Sequence, residues 1–280
     1  MGTTEAAAPS GEYAALGKPS SRHAIFRIVD GLIAIDIGNT SVKVAEYPAS
    51  AGPLTAAEVQ TVDWSDLSDW LADRGDMQVV AGSVVASSEA KLRALVASYR
   101  LLMLRPRDFP MTLDLTEPDR VGVDRVAAAY AAVRIAGGPC VVVDLGTAIT
   151  IDGVCPKMFW GGLIAPGPQM VLDALSDRTD ALPRLNWNAE VAGPPPSSFI
   201  GHNTTEAIAK ASYGLMEAGI AELIGCVQAE LGHAFSATPP VYRTGGAELQ
   251  LKGIDAVTVP DLTLRGLAAC GQRLLGGTAG

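Results

Sequence analysis

A chain of 280 residues, 48% of them hydrophobic, can bury one large core or two medium ones, which excludes disorder as its overall class. Its formal net charge of -9 and the lack of any block of Lys or Arg speak against nucleic acid or an anionic membrane surface as a partner, so an anionic ligand would have to be held locally. No apolar run reaches the roughly 18 residues of a membrane span, the N-terminus lacks a signal-peptide centre, and Cys140, Cys155, Cys226 and Cys270 form no C-x-x-C pair; together these features read as a soluble cytoplasmic protein with four buried thiols.

Residues 1–22, rich in Ala, Ser, Gly and Pro without periodicity, read as a flexible tail outside the fold. LIAIDIGNTSVKVAEY (32–47) starts as a buried strand, breaks at Asp36, Gly38, Asn39 and Thr40, and resumes as a strand, the pattern of a β-hairpin. A linker with Pro48, Gly52 and Pro53 follows, then a short helix over 64–72, a strand over 77–85 and helical spacing over 88–99. The proline-bearing RPRDFPMTLDLTEPDR (105–120) reads as an irregular loop, and a helix from about 124 to 136 is stopped by Gly137 and Gly138.

CVVVDLGTAITID (140–152) repeats the first pattern: an apolar run ends in Asp144, Gly146 and Thr147 fill a turn, and a second strand follows. The Gly-rich GGLIAPG (161–167) is expected as strand and loop, leading to an amphipathic helix near 170–175. A long helix over 203–231 opens with Asn203 and Glu206 at capping-box spacing. The strand PVYRT then meets Gly245 and Gly246, and 262–275 closes the chain as a helix. Strands and helices interleave twice, which argues an α/β fold, and Asp36 and Asp144 lie 108 positions apart (144 minus 36) with similar flanks. Two related halves are therefore expected, 31–136 and 137–280.

Taken alone, each Asp-Gly turn is explained by hairpin geometry. Taken together, they suit a nucleotide: glycine lets backbone N–H groups approach phosphate oxygens, Asn39, Thr40 and Thr147 add short donors, and Asp36 and Asp144 supply the carboxylates that Mg²⁺ or its waters require. Lys43 reads either as a cation near the phosphates or as a solvated strand lysine. Gly245 and Gly246 read either as a flat surface for adenine or ribose or as an ordinary turn. In VGVDRV (121–126), Asp124 either caps a helix or takes the proton from a substrate hydroxyl, with Arg125 binding an anionic substrate group.

With DIGNTSVK (36–43), GVDR (122–125) and DLGTAIT (144–150) in hand, the chain resembles the type III pantothenate kinases. These belong to the superfamily of acetate and sugar kinases, heat-shock ATPases and actin. GGLIAPG, TDALP (179–183), GHNTTEAI (201–208), TGGAE and DLTLRGL (261–267) match further blocks in order. The resemblance implies two ribonuclease-H-like, actin-like halves around a nucleotide cleft, and ATP-dependent phosphorylation of pantothenate on its primary hydroxyl, the first step towards coenzyme A. It implies Asp124 as general base, with Gly122, Val123, Arg125 and Thr179 at pantothenate, Thr179 acting across a homodimer interface. Asp36 and Asp144 would hold Mg²⁺, the turn residues with Lys43, Gly245 and Gly246 would hold ATP, and K⁺ or NH₄⁺ would be required. Leu115, Thr116 and Glu117 before Pro118 depart from the family's aromatic and Asn, and His202 stands where Lys is common. Two rival readings are another small-molecule kinase of the superfamily and a nucleotide-binding regulator without catalysis.

Overall fold

The computed structural model describes residues 31–48, 54, 58–74, 77–236 and 238–276. The expected tail, 1–22, lies outside the described residues. The first five strands are β1 (Gly31–Ile37), β2 (Val42–Pro48), β3 (Glu58–Val62), β4 (Gln78–Ser83) and β5 (Leu101–Met103), with α1 (Leu67–Ala72) and α2 (Ala86–Leu95) between them. After β6 (Thr112–Leu113) and α3 (Val123–Ala136) come β7 (Cys140–Leu145), β8 (Ala148–Cys155), β9 (Met158–Pro166), α4 (Pro168–Asp177) and α5 (Thr204–Phe235). The chain closes with β10 (Val241–Gly245), β11 (Ala256–Thr258) and α6 (Leu262–Leu275).

Two sheets form, in the orders β3-β2-β1-β4-β5 and β11-β10-β7-β8-β9-β6. Read from the meander outward, the second is β9-β8-β7-β10-β11 with β6 added at its edge, so the two sheets share one wiring. In each, the Asp-bearing strand pairs antiparallel with the strand after its turn and parallel with a later strand: β1 with β2 and β4, β7 with β8 and β10. The weak sequence repeat is therefore a repeat of topology, and the fold is the α/β class expected from the interleaved elements.

Side-chain alternation along the strands sets where each aspartate points. Ile33, Ile35 and Ile37 pack with Leu67, Leu71 and Leu92 of α1 and α2, whereas Leu32 and Ala34 pack with Val126, Leu264 and Leu267 of α3 and α6. Asp36 shares the parity of Ala34 and so faces α3 and α6. In β7, Val141, Val143 and Leu145 pack with Ile220 and Ile224 of α5, whereas Cys140 and Val142 pack with Ala128, Ala132 and Leu262, so Asp144 faces the same helix pair from the other sheet.

Helix α3 is buried from Val126 through Val133, as a helix held between two layers must be. Its alanines allow α6 to approach closely: a Cβ on Gly266 would overlap the Ala127 carbonyl. The long α5 is capped as its sequence implies, the Asn203 side chain accepting from Glu206 N at 2.9 Å.

Several expectations need correction. The loop 105–120 contains β6 and two short 3₁₀ turns, and β3, β5 and β11 were absent from the sequence reading. Cys226 is exposed rather than buried; Cys140, Cys155 and Cys270 are buried as expected. The α3 N-cap is Gly122 rather than Asp124, which sits in the first turn.

Candidate active site

Both Asp-Gly turns are built at the carboxyl ends of central strands, where ligands of open α/β sheets gather. In the first, Gly38 N–H donates to Ser41 O at 3.1 Å, and Asp36 lies directly across the ladder from Lys43. In the second, Asp144 lies across from Thr150, and Gly167 N–H donates to Thr147 O at 3.1 Å, which ties the start of α4 to the turn. A Cβ on Gly167 would overlap the carbonyls of Thr147 and Gly146, so that contact requires glycine.

The turns meet. The Thr40 and Thr147 hydroxyls are hydrogen bonded at 2.8 Å, although 107 positions separate them in sequence. The acidic groups beneath them share one electrostatic environment. Burial pushes the Asp36 carboxyl up to about 7, the Asp124 and Asp144 charges add to this, and Lys43 opposes it. Burial likewise pushes Asp144 up to about 6, with Lys43 lowering and Asp124 raising it. Lys43 is half-buried and its charge lowers the pKa of both carboxyls.

Asp124 enters from the first turn of α3. Burial raises its pKa, opposed by the Arg125 N–H, a helix N-terminal amide without an intrahelical partner, which donates to Asp124 Oδ1 at 2.8 Å. A Cβ on Gly122 would strike this oxygen, so glycine at the N-cap gives the carboxylate room. Val123 is buried against Gly82. Arg125 is turned onto Asp152 of β8, a residue the sequence reading did not select. Its signal was a lone carboxylate within the buried run AITIDGVC.

The remaining candidates divide between the turns and more distant positions. Gly245, at φ +93°, packs against the Asp144 carboxylate and Leu145, leaving its neighbour Gly246 in open space. Asn39 is exposed at the first turn. A Cβ on Gly146 would come nearest to Ala148 O and Asp144 Oδ1, which puts this glycine beside the carboxylate. Thr179 is exposed beyond the end of α4, where its hydroxyl donates to Leu175 O at 2.7 Å rather than meeting the acidic cluster. His202 is exposed, its backbone N–H donating to the Glu206 carboxylate at 3.2 Å.

Chemically, the arrangement offers two carboxylates and paired hydroxyls for a metal-bound polyphosphate, with a third carboxylate on a helix N-terminus beside them. Among solved structures, the fold is similar to a protein described as a Baf family transcriptional activator from Campylobacter jejuni, with a TM-score of 0.56 and 21% identity over 86% of this chain and 98% of that one. It is also similar to one described as a 2-dehydro-3-deoxygalactonokinase from Sinorhizobium meliloti, with a TM-score of 0.55 and 13% identity over 89% and 98%. In sequence, type III pantothenate kinases of Nitratidesulfovibrio vulgaris and Rhodospirillum rubrum are 34% and 33% identical, over 83% and 86% of this chain and 93% and 98% of theirs. A family model of the same description matches residues 32–225, and the chain belongs to the type III pantothenate kinase family.

Proposed function

We propose that the protein transfers the γ-phosphoryl group of ATP to the primary hydroxyl of pantothenate, giving 4'-phosphopantothenate and ADP. The observation that carries this reading is the hydrogen bond of Thr40 with Thr147, which joins the two Asp-Gly turns, with Asp124 adding its charge to the environment of both Asp36 and Asp144. In this reading the two halves, 31–136 and 137–280, close around ATP, and Gly38, Asn39, Thr40, Gly146 and Thr147 present N–H and O–H donors to its phosphates. Lys43 offsets phosphate charge, and Gly246 leaves space beside the base or ribose. Asp124 accepts the hydroxyl proton as that oxygen bonds to phosphorus and the bond to the departing ADP oxygen breaks. Arg125 holds the pantothenate carboxylate. Positioning and charge neutralisation carry most of the acceleration, since phosphoryl transfer asks little covalent help of a protein.

Among the described residues no three His, Cys, Asp or Glu side chains form a metal cage by themselves. Mg²⁺ fits nonetheless, because it typically takes one or two carboxylates together with phosphate oxygens and waters. Asp36 and Asp144 are two such hard oxygen donors, with a negative charge that Lys43 alone does not offset. When bound there, Mg²⁺ would supply charge neutralisation to the phosphates. K⁺ or NH₄⁺ enters through the family resemblance, and turnover in potassium against sodium tests it.

A cytoplasmic location is proposed from the sequence; no helix among the described residues is long and apolar enough to cross a membrane. We assign a homodimer as well. Met170 and Leu215, 46% and 70% exposed, border an apolar groove of about 680 Å³ between α4 and α5 that a second copy would cover. Thr179, exposed beside that face, would then serve the neighbouring subunit's substrate.

ADP release in the presence of pantothenate, sugars and short acids tests the reading, with pantothenate expected to give the highest kcat/KM. Asp124→Asn is expected to lower kcat roughly 100-fold to 10,000-fold while MgATP still binds. ATP binding with no transfer to any acceptor would favour the regulator reading.

A further inference from the structure

Asp152 is the most deeply buried carboxylate facing the site, with a side-chain exposure of 1%. It stands in the middle of β8 between Ile151 and Gly153, where an ionised group survives only if paired and hydrogen bonded. Its partner is Arg125. Nε donates to both carboxylate oxygens at 3.2 Å, and Nη2 donates to Oδ1. Thr150, two positions back on the same face of β8, favours the ionised Asp152 carboxyl against its burial. Across the ladder stands Gly162, where a Cβ would overlap Asp152 Oδ1, so the strand leaves space for this carboxylate. The Phe159 ring lies 5.5 Å from the guanidinium carbon.

This pairing consumes one edge of the guanidinium, the Nε and Nη2 side. A planar guanidinium fixed along one edge presents the other in a set direction, and bidentate recognition of a carboxylate depends on that direction. Arg125 follows Asp124 directly in α3. Whatever orients the guanidinium therefore fixes the distance between an anionic group on the substrate and the alcohol delivered to Asp124.

We infer that Asp152 is a positioning residue which locks the Arg125 guanidinium and thereby sets the enzyme's preference for an acceptor carrying a carboxylate. The inference rests on the pantothenate kinase reading. Asp152 touches neither substrate nor phosphate; it acts through Arg125. Its carboxylate partly offsets the Arg125 charge, so its contribution is geometry rather than attraction, and the two make opposite predictions for its removal.

The test compares wild type, Asp152→Asn and Thr150→Val in steady-state kinetics, with pantothenate and with its primary carboxamide analogue as acceptors. Asp152→Asn is expected to raise KM for pantothenate about 10-fold or more, as loss of a supporting partner commonly does, with KM for ATP unchanged. The ratio of kcat/KM for pantothenate over the carboxamide should fall by a similar factor. Thr150→Val, which removes a neighbouring hydroxyl that favours the ionised Asp152 while leaving the Arg125 contacts in place, should shift both quantities the same way by about 3-fold, and it decides the matter if Asp152→Asn does not fold. An unchanged or lower KM for pantothenate, or an unchanged ratio in a folded variant, overturns the inference while leaving the kinase reading intact. Absence of pantothenate turnover in the wild type would remove both.

Discussion

The two Asp-Gly hairpins have the same wiring and opposite surroundings. The first, β1–β2, is loosely enclosed: a Cβ on Gly38 would meet nothing closer than Ser41 O at 3.5 Å, an ordinary contact, and the ladder places Lys43 beside Asp36. The second, β7–β8, is walled by backbone, with Gly167 pressed on its turn and Gly245 on its aspartate, and it carries Thr150 where the first carries a lysine. A repeated motif thus specifies a repeated hairpin, but its neighbours divide the work. The first turn has room and positive charge, and the second is a rigid wall.

The strongest way to break this contrast is a pair of alanines. Gly167→Ala should force the second turn away from α4, lower Tm, and reduce kcat/KM for ATP about 100-fold, the scale of an ångström-sized misplacement. Gly38→Ala should leave stability within about 0.5 kcal/mol and raise KM for ATP only, because the space it would fill is the one the proposed reading gives to the phosphates. Equal Tm losses in the two variants would end the distinction.

A smaller effect concerns Lys43. Its charge holds Asp36 and Asp144 down against burial, so Lys43→Met should move both carboxyls further up. The acid limb of the pH profile of kcat/KM for ATP is then expected to shift upward by up to about one pH unit. A profile identical to wild type would return Lys43 to the role of a solvated strand residue.

The smallest effect is on stability without ligand. The Asp36 carboxyl is raised from 3.8 to about 7, so the folded state holds its proton more tightly than the unfolded chain. That stabilisation is full below the unfolded value and is lost as pH rises through the folded one. The Tm of the ligand-free protein should therefore fall by a few degrees between about pH 4 and about pH 7, and by less in Asp36→Asn. A slope unaffected by the substitution would place the titrating group elsewhere.

Much of this was legible in the sequence because it is local. The hairpins announce themselves by apolar runs broken at Asp and Gly, and α6 by its spacing over 262–275. β5 and β11 escaped because three residues carry no readable period, and they form only by adding to strands already present. Asp152 escaped for a different reason. Alternation marks a polar residue in a strand as outward-facing, and only the fold reveals that Arg125 reaches across from α3 to meet it. For the same reason the distance of Thr179 from the acidic cluster could not be read from TDALP.

The central claim is that both hairpins serve one metal-bound triphosphate, and a double-mutant cycle reaches it most directly. MgATP affinity would be measured by calorimetry for wild type, Asp36→Asn, Asp144→Asn and the double variant. The account predicts that the double variant departs from the sum of the single losses by more than about 0.5 kcal/mol, as groups sharing one ligand do. Losses that add within that margin would mean that the two aspartates act at separate places, contradicting the account.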